Sequence, residues 1–302
     1  QLAMVHSVPG LEEAFIMRPA YAIEYDCLDP LQLKRSLECL EMDGLFCAGQ
    51  INGSSGYEEA AAQGIAAGIN AAMKLKGADP VIFKRSDGYI GVLIDDLVTK
   101  GTREPYRMMT SRAEHRLIIR QDNADLRLTP LGYRLGLISE ARYNRFMERR
   151  ERVEREITRL RETILPPSTP GLEVFLTKRG ENPPVTGIRL SDLIRRPGVG
   201  YPDILRLEQR KPLLDRFEAQ EVEISVKYEG YIRRESEKAA RVTHLELREI
   251  PGDLEYKAIR GLRTEAAQKL SEIRPETVGQ ASRISGVNPA DISLLLVYLE
   301  QQ

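Results

Sequence analysis

Cysteine is scarce in this sequence and is confined to its beginning. The 302 residues include three cysteines, Cys27, Cys39 and Cys47, and none follows Cys47. So few thiols at these spacings exclude a disulfide framework and a zinc site. The pattern is typical of a protein from a reducing compartment, and we expect a cytoplasmic one.

Long apolar runs are also absent. No run approaches the roughly 20 residues that a membrane-spanning helix needs. The longest apolar stretch, Ile292 to Leu299, predicts a buried final helix. Hydrophobic residues make up 42% of the chain and charged residues 29%, which excludes collagen, wholesale disorder and a polytopic membrane protein. The length predicts two or three domains. Because the chain opens on Gln1 without a signal pattern, we expect a fragment of a longer protein.

The net charge is only −1, but the charge is unevenly distributed. Residues 1–80 carry a net charge of −6 and residues 81–161 one of +6, and 16 of the 18 cations in the second block are arginines. Arginine binds phosphate through two parallel N–H groups and stacks on bases. The block therefore indicates either a salt-bridged helical surface or a surface that binds a polyanion.

Hydrophobic periodicity predicts a mixed N-terminal part followed by helices. An alanine-rich helix is expected from Ala60 to Met73, and a long amphipathic helix from Ser139 to Thr163. The other predicted elements are a strand over 14–26, a helix from Asp29-Pro30 to Gly44, a buried strand over 45–49, an irregular connection over 166–202 and a last helical unit from about Glu218.

Glycine clusters where a short apolar run meets the alanine-rich one. The stretch reads Phe46-Cys47-Ala48-Gly49-Gln50-Ile51-Asn52-Gly53-Ser54-Ser55-Gly56-Tyr57-Glu58-Glu59-Ala60. It predicts a strand, a turn that another backbone or a ligand can approach closely, and then a helix. The first N–H groups of a helix can hold a phosphate or an anionic cofactor edge. A tight turn without a ligand remains the alternative, and the absence of Gly-x-Gly-x-x-Gly excludes the primary dinucleotide fingerprint.

This stretch, continued through Gly64, closely resembles the MnmG (GidA) family of flavin-dependent tRNA-modifying enzymes. Further blocks resemble the same family in its own order along almost the whole chain. They are Arg18 to Asp26, Glu104 to Met108, Thr110 to Glu114, Asp122 to Thr129, Val226 to Tyr231 and Gly279 to Val287. The resemblance covers the C-terminal part of the family, whose primary FAD fingerprint, NADH-binding insertion and catalytic cysteines lie upstream of Gln1.

The resemblance implies a mixed fold and a tRNA-modifying activity. Residues 1–76 would end a Rossmann-like α/β FAD-binding domain, and a mostly α-helical region would follow, basic and RNA-facing over 77–206 and partner-docking over 207–302. The family works as a homodimer with the GTPase MnmE, and binds neither membrane nor DNA. It adds a carboxymethylaminomethyl or aminomethyl group to C5 of the wobble uridine, using FAD, NADH and a folate one-carbon donor. We expect no catalytic residue in this chain and no activity from it alone.

The resemblance also implies the residues that hold the cofactor. Gln50 stands at a family position that contacts FAD, where its neutral amide supplies a donor and an acceptor. The N-terminus of the helix from about Glu58 should face the pyrimidine edge of the flavin and stabilise the reduced form. Glu58 and Glu59 are expected to favour the helix dipole rather than to act as bases. The predicted cofactor-binding residues are Gly49, Gln50, Asn52, Gly53, Gly56 and Tyr57.

An arginine face is predicted farther along the chain. Ser111-Arg112-Ala113-Glu114 has the pattern of a capping box, which predicts a helix. Arg112, Arg116 and Arg120 would then share one face, with Arg107 just before it. Pairing with Glu114 and Asp122 is the alternative, but Arg107 and Arg116 match family positions implicated in tRNA binding. The predicted RNA-binding residues are Arg107, Arg112, Arg116 and Arg120, and His115, where many members have Tyr, is expected to be a tolerated ring.

Two other functions remain open from the sequence. One is a non-catalytic helical adaptor that binds RNA or a GTPase. The other is a helix-hairpin-helix DNA-binding protein, which Ile259-Arg260-Gly261-Leu262 and Ile284-Ser285-Gly286-Val287 resemble, although the nearly neutral charge around them favours protein docking. Neither function needs the glycine-rich turn, which therefore counts against both.

Overall fold

Helices are the main secondary structure in the computed structural model, which describes residues 1–21, 24–102, 104–246 and 248–301. The helices are α1 (Leu2–His6), α2 (Tyr57–Leu75), α3 (Tyr89–Lys100), α4 (Ala124–Arg134), α5 (Glu140–Glu162), α6 (Leu172–Thr177), α7 (Leu190–Ile194), α8 (Tyr201–Leu207), α9 (Arg216–Lys227), α10 (Glu229–Glu246), α11 (Thr264–Ile273), α12 (Val278–Ala281) and α13 (Pro289–Glu300). The strands β1 (Ile164–Leu165) and β2 (Ile188–Arg189) pair antiparallel, with Ile164 opposite Arg189. Short 3-10 turns lie at Pro30–Gln32, Gly49–Asn52, Thr110–Arg112 and Tyr256–Ala258.

Several helices begin where local signals predict them. Ser139 is the N-cap of α5, which ends at Glu162 and confirms the predicted amphipathic helix. Asn288 caps α13 in a capping box, with Pro289 in the first turn. The predicted alanine-rich helix is α2, and the predicted last helical unit is present as α9 to α13.

Other predicted elements are wrong. The chain over 45–49 forms only one isolated bridge, between Glu38 and Phe46, because Gly49 turns it at once with φ +87°. The predicted helix from Asp29 is a single 3-10 turn, Pro30–Gln32, capped by the Asp29 side chain. Residues 166–202 are not irregular, since they hold α6, β2, α7 and the start of α8. No strand forms over the described part of 14–26, and residues 22 and 23 lie outside the described residues.

The α/β part of the expected fold is not confirmed, whereas the helical part is. In the described residues up to 76, β structure is limited to isolated bridges, among them Leu33 with Cys39 and Ser54 with Tyr106. None of the helices in the described ranges combines the length and the apolar character that crossing a bilayer needs.

The three larger hydrophobic cores of the described residues follow one another along the chain. The first joins the loops after Leu33 to α2 and α3, and includes Leu37, Ala66 and Ile94. The second lies between α5 and the helices that follow it up to α9. The third fills the terminal bundle, residues 248–301. Helix α3 is central to the first part, because nine of its twelve residues, from Gly91 to Thr99, are buried.

Candidate cofactor and RNA-binding site

The glycine-rich stretch folds as a tight turn against the start of α2. Gly49 and Gly53 have φ values of +87° and +78°, a conformation that favours glycine. The Gly49 N–H donates to Gln63 Oε1 at 3.1 Å, and Asn52 Nδ2 donates to the same oxygen at 2.9 Å. Two helical turns into α2, Gln63 thereby fixes the backbone of the turn.

A cavity of about 160 Å³ opens beside this turn. Three segments form its walls: residues 25–27, the turn itself and residues 102–105. The polar side chains that line it are Tyr25, Cys27, Gln50, Ser55, Thr102 and Glu104. None of these six side chains forms a hydrogen bond or ion pair with another of the residues that the structure describes. Convergent polar groups that are not used within the chain are typical of a ligand site.

Two segments contact the N-terminus of α2: the glycine-rich turn that precedes it and the backbone at Met108. Gly56 is its N-cap, and a Cβ there would lie 1.7 Å from Oε2 of Glu59. The Glu59 carboxylate therefore folds back over the N-cap, and its Oε1 accepts from the Met108 N–H at 2.9 Å. An acid in this position favours the helix dipole, as expected for Glu59.

The interior of the turn keeps polar atoms without partners. Asn52 Oδ1, Ser54 Oγ and Gln63 Nε2 are buried and have no hydrogen-bond partner among the described residues. Such atoms are rare in folded proteins and are met by a ligand or an ordered water. These three residues do not line the cavity. The unpaired Gln50 amide does, beside the positive-φ Gly53, and it would fit the polar edge of a flavin, which both donates and accepts.

Segment 104–108 forms one wall of the cavity and also carries Arg107. The Tyr106 N–H donates to Gly53 O at 2.7 Å, and the Ser55 N–H donates to Tyr106 O at 3.3 Å. Glu104 and Pro105 line the cavity, whereas Arg107 is exposed. A candidate RNA contact therefore follows the cavity wall within three residues.

The predicted arginine helix is wrong. After the 3-10 turn Thr110–Arg112 the chain runs as turns and bends up to α4. Side chains form hydrogen bonds with backbone carbonyl groups that would accept from N–H groups in a helix. Arg85 Nη2 donates to Arg112 O at 3.0 Å, and Asn123 Nδ2 donates to Ile118 O at 2.9 Å. Burial of Ala113 and Ile119 against Val92 outweighs the capping-box signal.

The four predicted arginines consequently have different surroundings. Arg107 and Arg116 are exposed, and neither pairs with an acid among the described residues. The Arg112 guanidinium lies over the Tyr106 ring, 4.5 Å from its centroid. Arg120 is turned inward, where its Nε donates to both Asp122 oxygens at 3.2 and 3.1 Å and its Nη1 to Leu117 O at 2.7 Å.

His115 is buried rather than available to a base. Its Nδ1 lies 3.2 Å from Oε1 of Glu235 in α10. The ring therefore connects the segment before α4 to α10.

A carboxyl pair, the buried Glu221 and the partly exposed Asp122, lies behind Arg120. Burial, followed by a hydrogen bond to Asp122, raises the pKa of Glu221 to about 7. The pKa of Asp122 is lowered, because the hydrogen bonds from Arg120 and Glu221 outweigh its burial. Glu221 Oε2 is one of the buried atoms without a hydrogen-bond partner among the described residues.

An ionic cluster lies beneath the cavity wall. Asp95 and Asp96 of α3 are each only 1% exposed. Arg85 Nη1 donates to Asp95 at 3.0 Å and to Asp96 at 2.8 Å, while its Nε and Nη2 donate to Glu114 at 2.6 and 2.9 Å. Burial acts to lower the pKa of Arg85, but its acidic partners outweigh burial and raise it. Burial and the charge of Asp96 raise the pKa of Tyr106, which stays a hydrogen-bond donor.

Models of a single family match three stretches of the chain. The model described as glucose inhibited division protein A matches residues 1–79. Those of the tRNA modifying enzyme MnmG/GidA match residues 140–236 as its C-terminal helical domain and residues 238–302 as its C-terminal helical bundle. The chain belongs to the MnmG/GidA family.

Relatives resemble the chain from end to end. A tRNA uridine 5-carboxymethylaminomethyl modification enzyme MnmG from Caldicellulosiruptor saccharolyticus is 57% identical over 301 residues, which are 100% of this chain and 48% of the relative. A Clostridium botulinum protein of the same name is 55% identical over 302 residues, with the same shares. The form II crystal structure of Aquifex aeolicus GidA superposes with a TM-score of 0.80 at 43% identity, covering 99% of this chain and 47% of that one. The chain thus spans about half the length of these relatives.

Some of the predicted cofactor-binding residues line the cavity, and others are buried within the turn. Gln50 and Gly53 line the cavity, while Tyr57 is 87% exposed at the start of α2. Gly49, Asn52 and Gly56 are buried and shape the turn. The cavity residues that sequence reasoning missed are Tyr25, Cys27, Ser55, Thr102, Glu104 and Pro105. The family-like blocks contain Tyr25, Ser55, Glu104 and Pro105, but nothing in the sequence singled these residues out. In the described residues no group of three or more His, Cys, Asp or Glu is arranged to hold a metal ion.

Proposed function

We propose that this chain is part of a flavin-dependent enzyme that modifies C5 of the wobble uridine of tRNA, adding a carboxymethylaminomethyl or aminomethyl group. Family membership supports the reaction class, since relatives carry the name of that enzyme. The observation that carries the proposal is segment 104–108, which contributes Glu104 to the cavity and exposes Arg107 beside it. The same segment would then provide a wall of the cofactor site and a contact to RNA.

The turn supplies one wall of the proposed FAD site. Gln50 would contact the cofactor through its free amide, and Gly49 and Gly53 let the backbone approach closely. Asn52 and Gly56 would act through the shape of the turn, and Tyr57 stands exposed beside them. When bound, FAD would supply hydride and electron chemistry, with NADH as reductant and a folate as one-carbon donor. The chain's own part is to bind and orient the flavin edge and to stabilise negative charge through the α2 N-terminus.

The exposed arginines supply the proposed tRNA face. Arg107 and Arg116 are the strongest candidates, because neither is neutralised by a neighbouring acid in the described residues. Arg112 is 41% exposed and stacked on a ring, so one side of its guanidinium remains accessible. Arg120 could join them only by leaving Asp122 and Glu221.

Partner and assembly complete the proposal. The GTPase MnmE would dock on the terminal bundle, and the full-length protein would form a cytoplasmic homodimer. The boundaries at residues 76 and 206 stay predictions. Helix α9 contributes Val222 and Val226 to the core that it shares with α5. Deleting residues 207–302 would therefore open that core.

Two titrations test the proposal. Full-length protein should bind FAD stoichiometrically and show a visible flavin spectrum, whereas residues 1–302 of this chain alone should bind FAD weakly, because they hold one wall of the site. Full-length protein should also bind tRNA with a salt dependence that reflects phosphate contacts. A full-length protein that binds tRNA but no flavin would instead favour the helical adaptor, and one that binds duplex DNA as tightly as tRNA would favour the DNA-binding alternative.

A further inference from the structure

A line of polar contacts runs from the glycine-rich turn into α3. The backbone of Tyr106 pairs with Gly53 and Ser55, as described above. The Tyr106 hydroxyl donates to Asp96 Oδ2 at 3.0 Å. The Tyr106 ring is only 4% exposed, so this hydrogen bond is sheltered from water and fixes the ring on α3.

The same line continues from α3 into the terminal bundle. Arg85 Nη1 bridges Asp96 and Asp95. Asp95 also accepts from Arg283, whose Nε and Nη2 donate to its two oxygens, both at 2.7 Å. Arg283 follows α12 and is 188 residues from Asp95 in sequence, and its side chain is only 14% exposed. A fork of two parallel charged hydrogen bonds is among the strongest polar contacts that proteins make.

The charges of the cluster show what Arg283 does for the turn. Asp95 and Asp96 share the single Nη1 of Arg85, so each depends on a second cation or donor. For Asp95 that second partner is Arg283. Asp96 also accepts from Tyr106 and Lys100, and Arg112 approaches it at 3.9 Å. Without Arg283, Asp95 would keep Arg85 as its cation and would draw it closer, which would weaken the bond from Arg85 to Asp96 and shift the carboxylate that accepts from Tyr106.

We propose that Arg283 is a positioning residue through which the terminal bundle fixes the backbone of the turn at Gly53–Ser55. It acts through Asp95, Arg85, Asp96 and Tyr106, and does not itself reach the cavity. The inference rests on the proposed function, because the turn matters as a wall of the FAD site. A bundle far along the chain then contributes to flavin affinity without touching the flavin.

The bundle offers a matched control. Arg263 forms the same kind of fork with Asp291, with its Nε at 3.2 and 3.1 Å and its Nη2 at 2.6 Å from the carboxylate oxygens. Asp291 is 2% exposed, comparable to Asp95, whereas Arg263 is more exposed than Arg283, 46% against 14%. Both residues of this pair lie within the bundle. Arg263→Gln therefore breaks a similar ion pair without interrupting the line to the turn.

The experiment compares Arg283→Gln and Arg263→Gln in the full-length protein. FAD affinity is measured by titration, and hydrogen exchange of the Ser55 and Tyr106 amides is measured without flavin. Arg283→Gln should weaken FAD binding about five- to tenfold, the size of a modest coupling between sites, and speed exchange at both amides. Arg263→Gln should change affinity less than about twofold and leave these amides protected, although it lowers the melting temperature as well.

The outcomes separate this inference from the proposed function. Equal effects of the two variants, or unchanged affinity and exchange in Arg283→Gln, would overturn the positioning role. If wild-type protein binds no FAD, the proposed function fails, and the inference drawn from it fails with it, whatever the exchange shows. If Arg283→Gln does not fold, Arg283→Lys keeps the charge with one contact fewer and should show both effects at smaller size. A folded Arg283→Lys with wild-type affinity and exchange would also overturn the positioning role.

Discussion

Arg116→Ala tests whether the arginine block binds RNA. Arg116 is exposed and unpaired among the described residues, so its loss should change the free energy of unfolding by no more than about 0.5 kcal/mol. If Arg116 contacts a tRNA phosphate, the loss of one charged hydrogen bond should weaken binding by about 1–2 kcal/mol. One phosphate contact fewer should also reduce the slope of log affinity against log salt by about one.

Arg120→Ala is the control, because its guanidinium is used within the chain. It bonds Asp122 and the Leu117 carbonyl and approaches Glu221 at 3.5 Å. Removing these bonds should cost about 2–3 kcal/mol of folding free energy. For a unit of 302 residues, that lowers the melting temperature by roughly 3–5 °C. Its tRNA affinity, measured well below the melting temperature, should change little.

The assay measures tRNA binding by fluorescence anisotropy across a salt series and thermal unfolding of the same full-length preparations. The proposal requires the two variants to separate, with Arg116→Ala losing affinity and Arg120→Ala losing stability. If Arg116→Ala instead melts early and binds tRNA normally, the basic block is a salt-bridged surface and the RNA-face proposal is wrong.

Three further outcomes follow from the packing, the Glu221–Asp122 pair and the bundle. Gly91→Ala should unfold the protein or cost more than about 3 kcal/mol, because its Cβ would lie 2.0 Å from the Lys84 carbonyl oxygen. Gly68→Ala in α2 meets no atom within 4 Å and should stabilise by about 0.5–1 kcal/mol; urea denaturation compares the two. The pKa of Glu221, about 7 when folded, exceeds its unfolded value, so wild-type stability should fall as pH rises between about 4.5 and 7. Glu221→Gln should remove that fall and be more stable than wild type at pH 7.5 by about 1–3 kcal/mol, again by urea denaturation. Deleting residues 238–302 from the full-length protein should abolish GTPase co-sedimentation while saturating FAD still binds; retained co-sedimentation would exclude the bundle as the docking site.

Local signals sufficed for the long helices. In α5 the cap at Ser139 and the apolar repeat through Phe146, Val153 and Leu160 agree, so the sequence predicts both ends within a residue. The capping-box pattern at Ser111 lacked such a repeat. Its backbone carbonyls are taken by Arg85, Asn123 and other side chains, contacts that only the tertiary fold creates.

The sequence predicted the site only where its residues are contiguous in the chain. The glycine turn is contiguous, and Gln50 could be read from it together with the family resemblance. The opposite walls of the cavity come from Tyr25 and Glu104, which are about 80 residues apart, and no single-sequence pattern joins them. Asp95 and Asp96 left a visible signal, two adjacent acids inside an apolar helix, but their partners Arg85 and Arg283 could not be deduced from it.

FAD titration of the flavin-free full-length protein, wild type against Gln50→Ala, is the most direct measurement of the proposed cofactor wall. Gln50 is exposed and lines the cavity, so its truncation should leave folding intact and remove one hydrogen-bonding partner of the flavin. Wild-type protein should bind FAD stoichiometrically, and Gln50→Ala should bind it about tenfold more weakly, the effect of losing roughly 1.4 kcal/mol. No visible flavin spectrum in the wild type, or identical titrations of the two proteins, would contradict the assignment of this turn to the cofactor.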